Sequence, residues 1–349
     1  MDIKEILTKA VKAGASDVHF AAGSPPTMRV SGEIQLIGEE KLIGVQIHKL
    51  LSEVVPVELM KVLDDTHELN ASFTIEDVAR FRLNACYERC VPGASIRVVS
   101  LKFRSLHDLG LPPVVEDLTT RPNGLVLITG AAGMGKTTTM AAMIDFINHH
   151  GKPLRVITIE DPIEYLHPHG KSIVIQREVG TDTVSFAEAL RQAMRQDPNA
   201  ICIGEMRDIE TIGTALTAAE TGHLVFGTLH TQDAAQTIDR IIDVFPSNQQ
   251  DQVRVQLSAT LQGIISQRLL PRADKKGRAL AVEILVATPA IRNIIRRMDP
   301  NQLYNAMTTG NDLGMVTMDK SLKRLVNELT ITHETAMEYV KNPKEFKFI

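Results

Sequence analysis

Leu125-Val126-Leu127-Ile128-Thr129-Gly130-Ala131-Ala132-Gly133-Met134-Gly135-Lys136-Thr137 joins an apolar, β-rich run to a glycine turn of the form G-x-x-x-x-G-K-[ST]. A buried strand feeding such a turn and then a helix start aims several backbone N–H groups, with the positive end of the helix dipole, at one point. That point suits phosphate. Gly130, Gly133 and Gly135 let the chain wrap closely, and Lys136 has the reach for β- and γ-phosphates. Thr137 offers a hydroxyl to Mg²⁺, and Met134 and Thr138 complete the expected nucleotide contacts.

Outward from this turn, apolar β-rich runs recur at 125–129, 154–159, 200–203 and 223–228, separated by helical segments. Such alternation predicts an α/β domain with a parallel sheet covered on both faces. Ser185-Phe186-Ala187-Glu188 reads as a capping box opening one helix, and Asp197-Pro198-Asn199 ends it before the strand at 200–203. Upstream, strand-like pieces at Asp17–Phe20, Met28–Val30, Glu33–Ile37, Ala79–Ala85 and Ala94–Val99 surround one helical stretch near Gln46–Leu63, which predicts a smaller α+β domain. In Arg80-Phe81-Arg82-Leu83-Asn84-Ala85 the alternation turns Phe81, Leu83 and Ala85 inward and Arg80, Arg82 and Asn84 outward. Leu109-Gly110-Leu111-Pro112-Pro113 reads as a stiff linker. The expected division is therefore 1–108, a linker at 109–116, and 117–349. Beyond Ala290 the chain reads as mainly helical, broken at Gly310–Gly314.

Ligands of open parallel sheets bind beyond the carboxyl ends of the strands. The first strand supplies the phosphate loop, the second Glu160 and Asp161 with Glu164 one turn on, the third Glu205, and the fourth His230. This set predicts a hydrolysis site in which Glu205, read as lying beyond the strand next to the phosphate loop, orients or deprotonates water, while His230 donates to a γ-phosphate. Gly204 stands where many phosphate-loop enzymes have a metal-binding aspartate, so Glu160 and Glu164 join Thr137 as the candidate Mg²⁺ ligands. Arg268, Arg272, Lys275, Lys276 and Arg278 read as a solvated loop.

Composition excludes several classes. The 349 residues carry a net charge of -4, with 13 Lys/Arg against 15 Asp/Glu in residues 1–113 and 25 against 27 thereafter. No domain is basic enough to bind nucleic acid, and four tyrosines without tryptophan give little for base stacking. No apolar run is long enough to be a transmembrane segment, and Met1-Asp2-Ile3-Lys4-Glu5 lacks the basic-then-apolar order of a signal peptide, so a cytoplasmic location is expected. Cys86, Cys90 and Cys202 make neither a disulfide framework nor a four-ligand zinc site.

Three segments together resemble the secretion and pilus motor ATPases. Ile157-Thr158-Ile159-Glu160-Asp161-Pro162-Ile163-Glu164 is similar to their acidic box, Gly204-Glu205-Met206-Arg207-Asp208 to their atypical Walker B motif, and the run from Ala215 to Thr231 to their histidine box. Ala15-Ser16-Asp17-Val18-His19, Arg80–Asn84 and Ala290-Ile291-Arg292-Asn293-Ile294-Ile295-Arg296 narrow the resemblance to the branch that retracts type IV pili. The resemblance implies a RecA-like P-loop ATPase domain with a PAS-like N-terminal domain, built into a homohexamer with ATP and Mg²⁺ between the two domains. It implies pilin depolymerisation and twitching motility as output, and an inner-membrane pilus platform protein as partner, hence peripheral attachment to the inner membrane. It assigns the catalytic glutamate to Glu205, the histidine-box residues to His223 and His230, phosphate-reaching arginines to Arg82 and Arg97 with Arg80 as a further candidate, and an output surface to 290–297. Two stretches depart from the family pattern. Residues 130–135 replace a usual Gly-Pro-Thr-Gly-Ser-Gly, and Glu88-Arg89-Cys90-Val91-Pro92 replaces a more polar turn. These departures motivate an alternative, an ATP-binding regulatory or accessory ring with little turnover of its own. A pilus-extension or type II secretion motor is the other; such motors usually carry an extra N-terminal domain and often a four-cysteine zinc site.

Overall fold

The computed structural model describes residues 2–30, 32–99, 103–297, 299–343 and 346. Its contacts divide into two units, Met1–Lys102 with Glu164–Leu166, and Phe103–Ile163 with His167–Ile349. The first unit runs α1 (Ile3–Lys12), β1 (Ala15–Phe20), β2 (Thr27–Val30), β3 (Glu33–Leu36), α2 (Gly44–Ser52), α3 (Val57–Thr66), β4 (Glu68–Ile75), β5 (Ala79–Glu88) and β6 (Val91–Val99). Its six strands form an antiparallel sheet in the order β3-β2-β1-β6-β5-β4. The alternation in β5 is observed as expected: Phe81, Leu83 and Ala85 are fully buried and Arg82 and Asn84 exposed. Helix α1 and strand β4 were not legible as elements, and the single helical stretch near 46–63 is two helices separated at Glu53–Pro56. Proline cannot donate the N–H that a continuous helix would need there.

The second unit runs α4 (Val114–Thr119), β7 (Gly124–Thr129), α5 (Lys136–His150), β8 (Arg155–Glu160), β9 (Ile173–Glu178), α6 (Phe186–Ala193), β10 (Ala200–Ile203), α7 (Ile209–Glu220), β11 (Leu224–Leu229), α8 (Ala234–Asp243), α9 (Ser247–Thr260), β12 (Leu261–Pro271), β13 (Arg278–Val286), α10 (Pro289–Arg297), α11 (Pro300–Thr309), α12 (Met318–Asn327) and α13 (His333–Met337). A 3-10 turn over Asn311–Leu313 makes the expected break in the helical C-terminal region. The sheet order is β13-β12-β7-β11-β10-β8-β9, parallel throughout except for the β12–β13 hairpin. The sequence pattern had not resolved β9, β12 or β13. In β12 the polar Gln262, Ser266 and Gln267 interrupt the apolar run, and pairing with β7 fixes it as a strand.

Alternate residues of each central strand feed opposite cores. Leu125 and Leu127 of β7, Ile157 and Ile159 of β8, and Ile201 and Ile203 of β10 pack with α6 to α11 on one face. Val126, Ile128, Val156, Cys202 and Phe226 pack with α5 on the other. Strands covered on both sides need apolar residues at every position, which is why these runs show no alternation. Ser185 caps α6 by accepting from the Glu188 N–H at 3.2 Å, as the capping pattern predicted. Among the described residues no helix is long and apolar enough to cross a membrane.

Phe226 sits fully buried on the central strand β11, and Phe226→Ala should destabilise the second unit by about 3–5 kcal/mol through lost transfer energy and cavity formation. Ile34→Ala, on the exposed strand β3, should stay within about 0.5 kcal/mol. Urea unfolding followed by circular dichroism on both variants checks the contrast.

Candidate active site

The phosphate loop leaves β7 with Gly130, Gly133 and Gly135 at φ 145°, 76° and 83°, a region that residues with a Cβ rarely enter. Gly135 caps α5 with no side-chain hydrogen bond, so the first N–H groups of a fifteen-residue helix face the loop. Lys136 is 8% exposed and its Nζ donates to the carbonyls of Gly130 at 2.7 Å and Ala131 at 3.0 Å, holding an ammonium inside the turn. Thr137 and Thr138 are half-buried in the first helical turn. Met134 ties the loop to β12: its Sδ accepts the Leu269 N–H at 3.2 Å. The unusual methionine thus makes a contact across the sheet edge.

Strand order corrects the sequence reading at one point. Strand β11, not β10, lies beside β7, so His230 is the neighbour of the phosphate loop and Glu205 stands one strand further. The two are nevertheless joined directly, His230 Nε2 to Glu205 Oε1 at 2.9 Å. Glu205 is held from both sides of its backbone: Thr228 Oγ1 donates to the Gly204 carbonyl, and the Met206 N–H donates to the Thr228 carbonyl at 3.0 Å. Arg207 Nε also donates to Glu205 Oε1, a partner that the sequence reading missed. Gly204 packs closely on β8: an added Cβ would lie 3.1 Å from the Ile159 carbonyl oxygen and 3.3 Å from Glu160 Cα, so an aspartate there would need the β8 backbone to give by a few tenths of an ångström.

Glu160, at the end of β8, accepts from Thr158 Oγ1 at 2.6 Å and Gln176 Nε2 at 3.0 Å. Gln176 in turn accepts the His167 N–H at 2.8 Å, and the His167 ring stacks on Phe103 at 4.7 Å between centroids. Thr137 and Glu160 offer the hard oxygen donors that Mg²⁺ prefers. Among the described residues, however, no three acidic, histidine or cysteine side chains cluster as a metal cage. Three interstrand steps separate β7 from β8, about 14 Å at about 4.8 Å each. Thr137 and Glu160 thus stand at the ends of strands that are three steps apart in the sheet.

Of the other expected members, one stands at the opposite end of β11 and three belong to the first unit. His223 lies at the opposite end of β11 from His230, where its Nδ1 contacts the Ala218 carbonyl at 3.0 Å and closes α7. Six strand residues lie between the two histidines, about 20 Å of extended chain. His223 therefore stands at the end of β11 away from the phosphate loop. Glu164 groups with the first unit. Arg82 and Arg97 belong to that unit too, as directly opposed residues of β5 and β6. Arg97 Nε donates to Asp17 Oδ1 at 2.9 Å, and Arg80 Nη2 to Ser72 Oγ at 2.7 Å. Two arginines facing each other repel unless anions intervene. Asp17 supplies one such charge, and its carboxyl sits below its usual range: burial opposes this, and the Arg97 hydrogen bond overcomes it.

A cleft of about 490 Å³ opens beside Gly135, Thr138 and Thr139, lined on its other sides by Leu269, Leu280, Leu325 and by Arg104, Arg272, Arg278 and Arg324. Arg278 Nη1 donates to the Gly133 carbonyl at 3.1 Å, gripping the phosphate loop from β13. The solvated-loop reading of residues 268–278 is thereby corrected. Arg268 and Arg278 lie on strands, Arg272 and Arg278 line the cleft, and only 272–277 form the turn. Leucine walls with arginines at the rim suit the sugar and base of a nucleotide whose phosphates lie in the loop. The signal available in the sequence was the basic hairpin itself, but which strand it would pair with was not encoded locally.

The family model described as Type II/IV secretion system protein matches residues 1–345. Over 346 residues the chain is 47% identical to the type IV pilus retraction ATPase PilT of Pseudomonas aeruginosa, covering 99% of this chain and 100% of that protein. It is 36% identical to the type IV pilus ATPase PilU of the same organism over 349 residues, covering 100% and 91%. A crystal structure of the pilus retraction motor PilT with bound ADP superimposes with a TM-score of 0.91 at 48% identity, covering 99% of this chain and 98% of that one.

Burial depresses the pKa of His167, in the network behind Glu160, from 6.5 to about 4. As pH falls the unfolded chain takes up this proton first, so the stability tied to the neutral ring is intact above 6.5 and lost between 6.5 and about 4. The full loss is up to about 3 kcal/mol. His167→Gln should flatten the acid side of the stability profile, read as urea midpoints at about pH 7 and about pH 5.

Proposed function

The chain belongs to the Type II/IV secretion system protein family, and on that premise we propose that it is the ATPase that powers type IV pilus retraction. The single observation that carries the reading is the Glu205–His230 pair at 2.9 Å, set at the ends of adjacent parallel strands beside the phosphate loop. A carboxylate so placed can orient and deprotonate water in line with a γ-phosphate, with transfer of the proton costing little reorganisation. His230 is the hydrogen-bond donor beside that oxygen. It can exchange its bond to Glu205 for one to the terminal phosphate, so that phosphate loss is felt along β11. Lys136, now on loop carbonyls, has a flexible stem that can turn its ammonium to the β- and γ-phosphates. Arg278 and the leucine-lined cleft receive the nucleoside. Mg²⁺, when bound, neutralises charge on the β- and γ-phosphates, and Thr137 would hold it.

Three further parts of the proposal rest on the resemblance. They are a homohexameric ring, phosphate contacts from Arg82 and Arg97, and docking of the ring on an inner-membrane platform protein at the cytoplasmic face. The identity of 47% to PilT, named as a retraction ATPase, against 36% to PilU supports the retraction reading. The altered phosphate loop favours the accessory role, but Met134 is accommodated by its bond to Leu269 and the glycine conformations are kept.

Glu205→Ala should bind ATP with near-native affinity yet turn over about 10²–10⁴-fold more slowly than the parent. Steady-state phosphate release, with the oligomer mass of both proteins measured in the same buffer, checks this. Equal turnover would remove Glu205 from the mechanism. A strain lacking the gene should keep surface pili and lose twitching; loss of the pili themselves would assign the chain to extension, and unchanged twitching to an accessory role.

A further inference from the structure

We propose that residues Tyr339–Asn342 clasp the loop that carries His230, making Lys341 a positioning residue for the phosphate-sensing histidine. The inference rests on the reading of His230 given above. Only Thr231, Gln232 and Asp233 separate that histidine from the first residue of α8. Asp233 caps the helix, its carboxylate accepting from the Gln236 N–H at 2.8 Å, and Glu283 of β13 accepts the Ala234 N–H at 3.0 Å. Two carboxylates, 8% and 2% exposed, thus converge on one helix start.

The compensating charge comes from near the end of the chain. Lys341 Nζ lies 3.0 Å from Asp233 Oδ2 and 3.6 Å from Glu283 Oε2. Among the described residues no hydrogen bond reaches the buried Glu283 Oε2, and the ammonium 3.6 Å away supplies its counter-charge. Burial pushes the Glu283 carboxyl up, and Lys341 opposes that rise. A second strap runs in parallel. Arg268 lies over the Tyr339 ring at 5.2 Å and donates to Gln232 Oε1 at 3.1 Å. The clasp is itself fastened, because the N–H groups of Lys341 and Asn342 donate to the Asp319 carboxylate at 2.9 and 3.1 Å.

Without the ammonium, two buried carboxylates share a helix start and must separate or take up a proton. Separation displaces the start of α8 and pulls the chain at His230 away from Glu205. The clasp therefore lets the C-terminal segment set how well the histidine is poised, without touching nucleotide.

The test uses the full chain and reads Mg²⁺-ATP turnover with circular dichroism and oligomer mass as controls. Lys341→Met should lower kcat about tenfold with KM for ATP changed less than about twofold, a split that loss of nucleotide binding would not give. Lys341→Arg should retain kcat. Adding Glu283→Gln to Lys341→Met should recover most of it, by removing the uncompensated charge. In a His230→Ala background, Lys341→Met should cost nothing further, because both changes act on one group. Tyr339→Leu removes the ring under Arg268 and leaves Lys341, Asp233 and Glu283 in place. It should lower kcat about threefold and serves if Lys341→Met fails to fold. Native kcat in the folded variants, or losses that multiply with His230→Ala, would overturn the clasp while leaving the His230 reading intact. Native turnover of His230→Ala itself would overturn both.

Discussion

Strand β11 is the constraint on which the active edge depends. It hydrogen-bonds to β7 along Leu224↔Gly124 through Leu229↔Thr129, and to β10 along Leu224↔Ala200 through Gly227↔Ile203. These two registers bring the phosphate loop, His230 and Glu205 to one level beyond the carboxyl ends of the sheet. A parallel strand buried on both faces cannot slip by one residue without exchanging the contents of its two cores. The chemistry is therefore indexed by packing: Val225 and Phe226 point to opposite sides, and their burial fixes where Leu229 ends and His230 begins.

Around that frame, polar groups are placed by short hydrogen bonds to the backbone. Thr228 and Met206 clamp Gly204–Glu205 to β11, Lys136 and Arg278 grip carbonyls of the phosphate loop, and Met134 bonds to Leu269 on β12. Such bonds hold a loop without regular pairing, where backbone groups would otherwise be left to water. They also explain why a loop with alanines and a methionine in place of polar residues keeps the glycine conformations that phosphate requires. The glycines make the shape, and the Arg278 side chain of β13, the Leu269 N–H of β12 and Lys136 at the start of α5 hold it.

In the first unit the antiparallel sheet works differently. One face is filled by Phe81, Leu83 and Ile96, and the other displays the row Asp17, Arg97 and Arg82 across β1, β6 and β5. A half-buried sheet leaves its outer face free to carry charge, which is where the resemblance locates phosphate-reaching arginines. Arg82 and Arg97 stand directly opposed on that face, and Asp17 balances their charge in part.

The sequence determined the elements whose signals are local. The glycine turn after an apolar run announced the phosphate loop, Ser185 announced a helix start, and the period of two in β5 sorted its faces. The positions of Lys136, Glu205 and His230 beyond strand ends could be read because each follows an apolar β-rich run, and the carboxyl edge is where such sheets bind. What the chain could not state locally was neighbourhood. That β11 lies between β7 and β10, that Glu160 stands three strands from the phosphate loop, that Arg278 reaches that loop, and that Lys341 reaches Asp233 are all consequences of pairing between distant segments. Strand order is set by which buried faces fill one core together, a property of the whole sheet. For that reason it was decided only by the tertiary structure.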